Sequence, residues 1–143
     1  MSKILLDTGI LMRFLRGQRQ AKELFTTLDL QDNLLLISGI TALELYIGCR
    51  PGTGDLDEVE RLIDHLQVVE IDIPVSKKAA ILIKKYPSLF GSKISRGTAD
   101  ALILASAWEK EATLYTLNTR HFAAAEISEV DIHPLDQNAK VWV

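Results

Sequence analysis

Four residues have the type and placement to do chemistry: Asp7, Glu44, Asp100 and Asn118. Asp7 follows the apolar run Ile4-Leu5-Leu6, Glu44 stands just past Leu34-Leu35-Leu36-Ile37, Asp100 opens an apolar helix, and Asn118 follows Leu114-Tyr115-Thr116. If these runs are parallel strands, or lead into helices over one sheet, their carboxyl ends share an edge and the four groups converge. The result would be a negatively charged pocket suited to a hard divalent cation, which prefers oxygen ligands.

Each group also has an ordinary structural role open to it. Asp7 suits the N-cap of a helix starting near Thr8, where its oxygen would accept a backbone N–H. Thr41-Ala42-Leu43-Glu44 matches the capping box, in which the glutamate reaches back to the N-cap N–H. Asp100 could serve the first-turn dipole of a helix that begins after Ser95 or Thr98, although a carboxylate amid apolar residues is costly unless paired, capped or bound to a cation. Asn118 reads as a turn residue after a strand. Taken together, four such roles at one edge would crowd three negative charges, and that repulsion calls for a cation.

The elements that must position these groups alternate along the chain. Ile4 to Leu6, Leu34 to Ile37, Val68 to Ile71 and Thr113 to Thr116 fit short buried strands, with a weaker one over Asp131 to Leu135 near Pro134. Ala21, Leu24, Phe25 and Leu28 repeat at helical spacing, as do Val59, Leu62, Ile63 and Leu66, while Val75, Ala79 and Leu82 do so with one step missing. From Thr98 to Trp108 the only charge is Asp100, which predicts a helix buried on most sides. Apolar strands alternating with helices predict an α/β fold whose central parallel sheet of four to five strands carries helices on both faces. Pro51-Gly52-Thr53-Gly54 reads as a turn between two helices, so residues 1–143 are expected to form a single domain.

Composition narrows the function. Sixteen basic residues against nineteen acidic ones give a net charge of -3, so a polyanionic substrate would have to be held by a local patch or by metal. No apolar stretch approaches the ~18 to 20 residues of a membrane span, and a soluble cytoplasmic protein is expected. Cys49 is the only cysteine and is expected to pack rather than react.

The chain resembles the PIN-domain ribonucleases, and among them the VapC toxins of bacterial and archaeal toxin–antitoxin pairs. The likeness lies in Leu5-Leu6-Asp7-Thr8-Gly9-Ile10-Leu11, in Ile40-Thr41-Ala42-Leu43-Glu44-Leu45-Tyr46-Ile47-Gly48, in the run from Thr98 to Ala107, and in Leu114-Tyr115-Thr116-Leu117-Asn118-Thr119-Arg120-His121-Phe122. The motifs span nearly the whole chain in the expected order. The resemblance implies a PIN-like fold in which Asp7, Glu44 and Asp100 hold magnesium, or manganese, and a metal-activated water hydrolyses an RNA phosphodiester, with transfer RNA or a ribosomal RNA loop as the substrate. It also implies 5′-phosphate and 3′-hydroxyl products. Asn118 stands where many relatives carry a fourth acid; it would orient the water or bind a second ion less firmly, because a neutral carbonyl is a weaker ligand than a carboxylate.

Basic residues near the expected edge are candidates for flanking phosphates: Arg13, Arg16, Lys93, Arg96 and Arg120. His121 is better read as part of the loop after a strand than as a general base. Trp108 is expected in the core, and Trp142 is expected to pack loosely or to meet a partner. The resemblance further implies a cognate antitoxin laid over the acidic pocket, and a homodimer. Leu11, Phe14 and Leu15, beside the helix from Ala21 to Leu28, would offer an apolar groove. Two other functions compete: a catalytically weak PIN-like domain that binds RNA or protein, and an unrelated phosphatase with Asp7 as nucleophile. The latter lacks a second acid two residues on from Asp7 to act as proton donor.

Overall fold

A computed structural model describes residues 2–91, 96–119, 122 and 127–142, with the side chain of Arg96 outside that description. Five short strands form one parallel sheet: β1 (Lys3–Leu6), β2 (Leu34–Ser38), β3 (Gln67–Val69), β4 (Thr113–Thr116) and β5 (Ile132–Pro134). Their spatial order is β3-β2-β1-β4-β5. The chain therefore builds outward from β1 in one direction and later returns to its other side, which puts the topological switch point between β1 and β4.

Among the described residues seven helices connect and cover the strands: α1 (Thr8–Leu15), α2 (Arg19–Leu30), α3 (Gly39–Ile47), α4 (Asp55–Asp64), α5 (Ile73–Lys85), α6 (Pro87–Phe90) and α7 (Arg96–Lys110). Successive strand side chains point to opposite faces, so the apolar runs supply two cores at once. Leu5, Leu36, Val69 and Leu114 pack on one face against Val75, Ala79 and Leu82 of α5 and Ala101, Leu104 and Ala105 of α7. Ile4, Leu6, Leu35 and Ile37 pack on the other against Ile10 and Leu11 of α1, Leu24 and Leu28 of α2, and Val59 and Leu62 of α4. The expected α/β sheet, covered on both sides, is present.

Element boundaries shift where capping decides them. β3 ends at Val69 rather than Ile71, because Asp72 turns the chain into α5 by accepting the Val75 N–H at 3.0 Å. β5 runs from Ile132 to Pro134; an edge position tolerates a proline with no N–H to give. The short α6 has no counterpart in the sequence reading, since four residues starting at Pro87 are too few to show a helical period. Residues 51–54 do form the turn between α3 and α4. Trp142 does not pack loosely: it is 2% exposed and belongs to the core on the α1 side. Among the described residues no helix is long and apolar enough to cross a membrane.

Two devices seat α7, the helix that carries Asp100. A Cβ built on Gly97 would lie 2.5 Å from both the Cα and the carbonyl oxygen of Phe90, so the first turn of α7 meets α6 at a distance only glycine permits. Farther along, buried Ser106 Oγ lies 2.8 Å from Ser38 Oγ and 2.7 Å from the Leu102 carbonyl oxygen. The Ser106 hydroxyl is the donor towards both acceptors, which share its single proton. The bond to Ser38 ties α7 to the carboxyl end of β2.

Candidate active site

Asp7 lies at the switch point. Its backbone N–H continues the ladder to the Tyr115 carbonyl at 3.0 Å, and its extended φ and ψ of -68° and 153° make it the N-cap of α1. Oδ1 accepts the Thr8 N–H at 2.7 Å, and Oδ2 accepts the Thr116 hydroxyl at 2.6 Å. The capping role open to Asp7 is therefore filled, yet the residue is 8% exposed, far drier than a cap requires. Burial pushes its carboxyl above the ordinary range, opposed by the Thr116 hydroxyl and the Thr8 amide. Both donors are neutral, so among the described residues this desolvated carboxylate has no bonded cation.

Glu44 is not part of a capping box. α3 begins at Gly39, and Ser38 is its N-cap, accepting the Ile40 N–H at 3.4 Å; Thr41 thus falls inside the helix rather than at its cap. Half-buried Glu44 instead projects towards α1, where its Oε1 accepts the Thr8 hydroxyl at 2.9 Å. Thr41 Oγ1, fully buried, lies 2.9 Å from Thr8 Oγ1. Asn118 is exposed just past β4, and its backbone N–H donates to Thr116 Oγ1 at 2.9 Å. Asn118, Thr116, Asp7, Thr8 and Glu44 thus form one continuous chain of hydrogen bonds along the carboxyl edge.

Asp100 is half-buried in the amino-terminal half of α7, which packs against β1, β2, β4 and α3. Among the described residues no three His, Cys, Asp or Glu side chains already stand together as a metal cage. The donor types nevertheless fit a hard cation, for the candidates offer the carboxylates of Asp7, Glu44 and Asp100 and the amide oxygen of Asn118, and Asp7 is buried.

The basic candidates separate by position. Arg13 donates from its guanidinium to Gln137 Oε1 at 3.2 Å, and Gln137 lines the same depression as Asn118 and Thr119. Arg16 is exposed at the far end of α1, nine residues and ~13 Å along the helix from Asp7. It lines a different hollow with Met12, Leu15, Leu45 and Cys49. Lys93, Arg120 and His121 lie outside the described residues, as does the Arg96 side chain. Leu11 is wholly buried and cannot line a groove, whereas Phe14, Leu15 and Phe25 do line one with Lys22, Arg61 and Leu62. Sequence reasoning gave no site role to Thr8, Thr41 or Thr116. Thr8 and Thr116 sit at the ends of apolar runs, which is a weak signal, and Thr41 read only as a helix cap.

A doubly wound parallel sheet with a buried carboxylate at its switch point defines a class of single-edge α/β sites. The chain belongs to the PIN domain family, whose model matches residues 4–127. It is similar to ribonuclease VapC10 of Mycobacterium tuberculosis, with 31% identity over 123 residues covering 86% of this chain and 88% of the relative. Its fold is similar to that of VapBC2 from Rickettsia felis, solved with a DNA fragment from their promoter: the TM-score is 0.77 at 20% identity, over 94% of this chain and 99% of that one. FitAcB from Neisseria gonorrhoeae is also similar, with a TM-score of 0.66 and 28% identity over 90% and 95% of the two chains.

Proposed function

We propose that this chain is the toxin of a toxin–antitoxin pair, a single PIN domain over residues 1–143 that acts in the cytoplasm as a metal-dependent endoribonuclease. The observation that carries the reading is the buried Asp7 carboxylate at the switch point, hydrogen-bonded among the described residues only to neutral donors and linked through threonines to Glu44 and Asn118. Family membership and the likeness to a ribonuclease at 31% identity support it.

Asp7, Glu44 and Asp100 would hold magnesium, or manganese, with Asn118 beside them. When bound, the ion supplies Lewis-acid activation of water and neutralises charge on the scissile phosphate. The remaining work falls to the chain. Thr116 and Thr8 fix the Asp7 carboxylate by one oxygen each, so little reorganisation is left for the moment of reaction. Arg13, at the rim of the Asn118 depression, is placed to take a flanking phosphate of a transfer RNA or ribosomal RNA loop; Arg16, Lys93, Arg96 and Arg120 complete the proposed set. An antitoxin is the expected partner, since a similar solved structure, from Klebsiella pneumoniae, is a toxin–antitoxin complex. The groove of Phe14, Leu15, Phe25 and Leu62 with Lys22, Glu58 and Arg61 at its rim suits an amphipathic segment. A homodimer is proposed as the oligomeric state.

The test is incubation of purified, antitoxin-free chain, and of D7N and D100N, with total cellular RNA in magnesium, manganese or chelator, followed by mapping of 5′ ends. Discrete metal-dependent cuts bearing 5′-phosphates, absent from both variants, are expected. RNA bound but uncut by folded protein would transfer the reading to a catalytically weak binding module, and would make Asn118, neutral where an acid was available, its explanation.

A further inference from the structure

Thr8 touches two acids at once. Its backbone N–H serves Asp7 Oδ1 at 2.7 Å, and its hydroxyl stands 2.9 Å from Glu44 Oε1 and 2.9 Å from Thr41 Oγ1. A threonine hydroxyl carries one proton and can also accept, while a carboxylate only accepts. Thr8 must then donate to Glu44, because the reverse order would set two lone pairs against each other at 2.9 Å. Thr41 in turn donates to Thr8. That hydroxyl is wholly buried and has no other hydrogen-bond partner among the described residues, so the relay Thr41→Thr8→Glu44 has one direction. Each bond in such a chain polarises the next and strengthens the grip on Oε1.

The second oxygen of Glu44, Oε2, takes no hydrogen bond from a described residue. Resting on the metal-dependent reading above, we infer that Thr8 and Thr41 are positioning residues that set ion selectivity. By taking a lone pair of Oε1 they would disfavour a two-oxygen grip and favour Glu44 as a one-oxygen ligand through Oε2. Small octahedral ions such as magnesium and manganese accept single oxygens at short distance, whereas calcium takes more ligands and favours a carboxylate that gives both oxygens. The hydroxyl relay thereby biases the site against calcium.

Isothermal titration of the full, antitoxin-free chain with manganese alone and with calcium alone tests this, using T8V, T8S, T41V and E44Q. In T8V the ratio of calcium to manganese dissociation constants is expected to fall by about tenfold, the scale typical of groups that orient metal ligands. T8S, which keeps the hydroxyl, should match the parent, and T41V should move the ratio in the same direction by less, roughly threefold. Folding is followed by thermal melting, and T41V carries the test if T8V fails to fold. A ratio unchanged within about twofold in both T8V and T41V, while E44Q loses manganese, would overturn the selectivity inference and leave the metal site standing. Manganese bound equally by parent, E44Q and D7N would instead overturn the metal reading beneath it.

Discussion

Thr116 Oγ1 donates to Asp7 Oδ2 at 2.6 Å and so joins the carboxyl ends of β4 and β1 across 109 residues of chain. A hydrogen bond to an ionised acceptor is about twice as strong as a neutral one, and this one is buried. It opposes the desolvation that raises the Asp7 carboxyl. Replacing Thr116 by valine keeps the volume and removes the donor. Turnover should fall about ten- to hundredfold. Because burial then acts with less opposition, the Asp7 carboxyl moves further up, and the acid limb of the kcat/KM profile shifts to higher pH. T116S should restore both, and a limb that does not move in T116V would sever Thr116 from the titration.

Asn118 differs from a carboxylate by one charge at nearly the same size. N118D should tighten manganese binding by roughly threefold to tenfold, as one more charged oxygen joins the ligands. The same charge should lower the melting temperature in chelator, since it adds repulsion along the carboxyl edge. Calorimetric titration and melting in the two conditions would expose opposite signs; equal affinity for parent and variant would remove Asn118 from the ion's surroundings.

Gly97 is the point of closest approach between α7 and α6, where a Cβ would meet the Phe90 backbone at 2.5 Å. Backbone cannot swing aside as a flexible side chain can. G97A should therefore destabilise the fold by about 1 to 3 kcal/mol, measured as a lower urea midpoint, and should weaken manganese binding because Asp100 rides on the displaced helix. An unchanged midpoint would mean that α7 can slide without penalty.

Asp55 begins α4 and accepts from the Arg50 side chain at 2.8 and 3.3 Å and from its backbone N–H at 3.1 Å. The Arg50 hydrogen bonds hold its carboxyl down at about 2, against an ordinary 3.8. A group depressed on folding contributes stability above its unfolded pKa and loses it as pH falls through the folded one. D55N should melt slightly below the parent at neutral pH, and the two curves should converge as pH drops from 3.8 towards about 2. A gap that persists at the acid end would assign the difference to something other than this ion pair.

Layer architecture and the four site candidates were legible without coordinates because both rest on local patterns. Leu34 to Ile37 and Thr113 to Thr116 read as strands from their apolar run alone, and β4 has the expected bounds. The burial of α7 followed from a single charge, Asp100, in eleven residues. Asp7, Glu44 and Asn118 were conspicuous because polar groups interrupted apolar runs at matching ends. The capping box proposed for Thr41 and Glu44 failed for a specific reason: Ser38, three residues closer to the strand, captured the cap.

What connects those candidates has no local signature. The order β3-β2-β1-β4-β5 depends on which strand edges close on one another, and only that order sets Thr116 beside Asp7. Likewise, Thr8 meets Glu44 and Thr41 across 36 and 33 residues because α1 and α3 leave adjacent strands at the same edge. A threonine at a strand end or within a helix is too common to announce such a bond. Hydrophobic period and capping chemistry act over a few residues and can be read along the chain, whereas a hydroxyl finds its carboxylate only after register and strand order have brought the two within 3 Å.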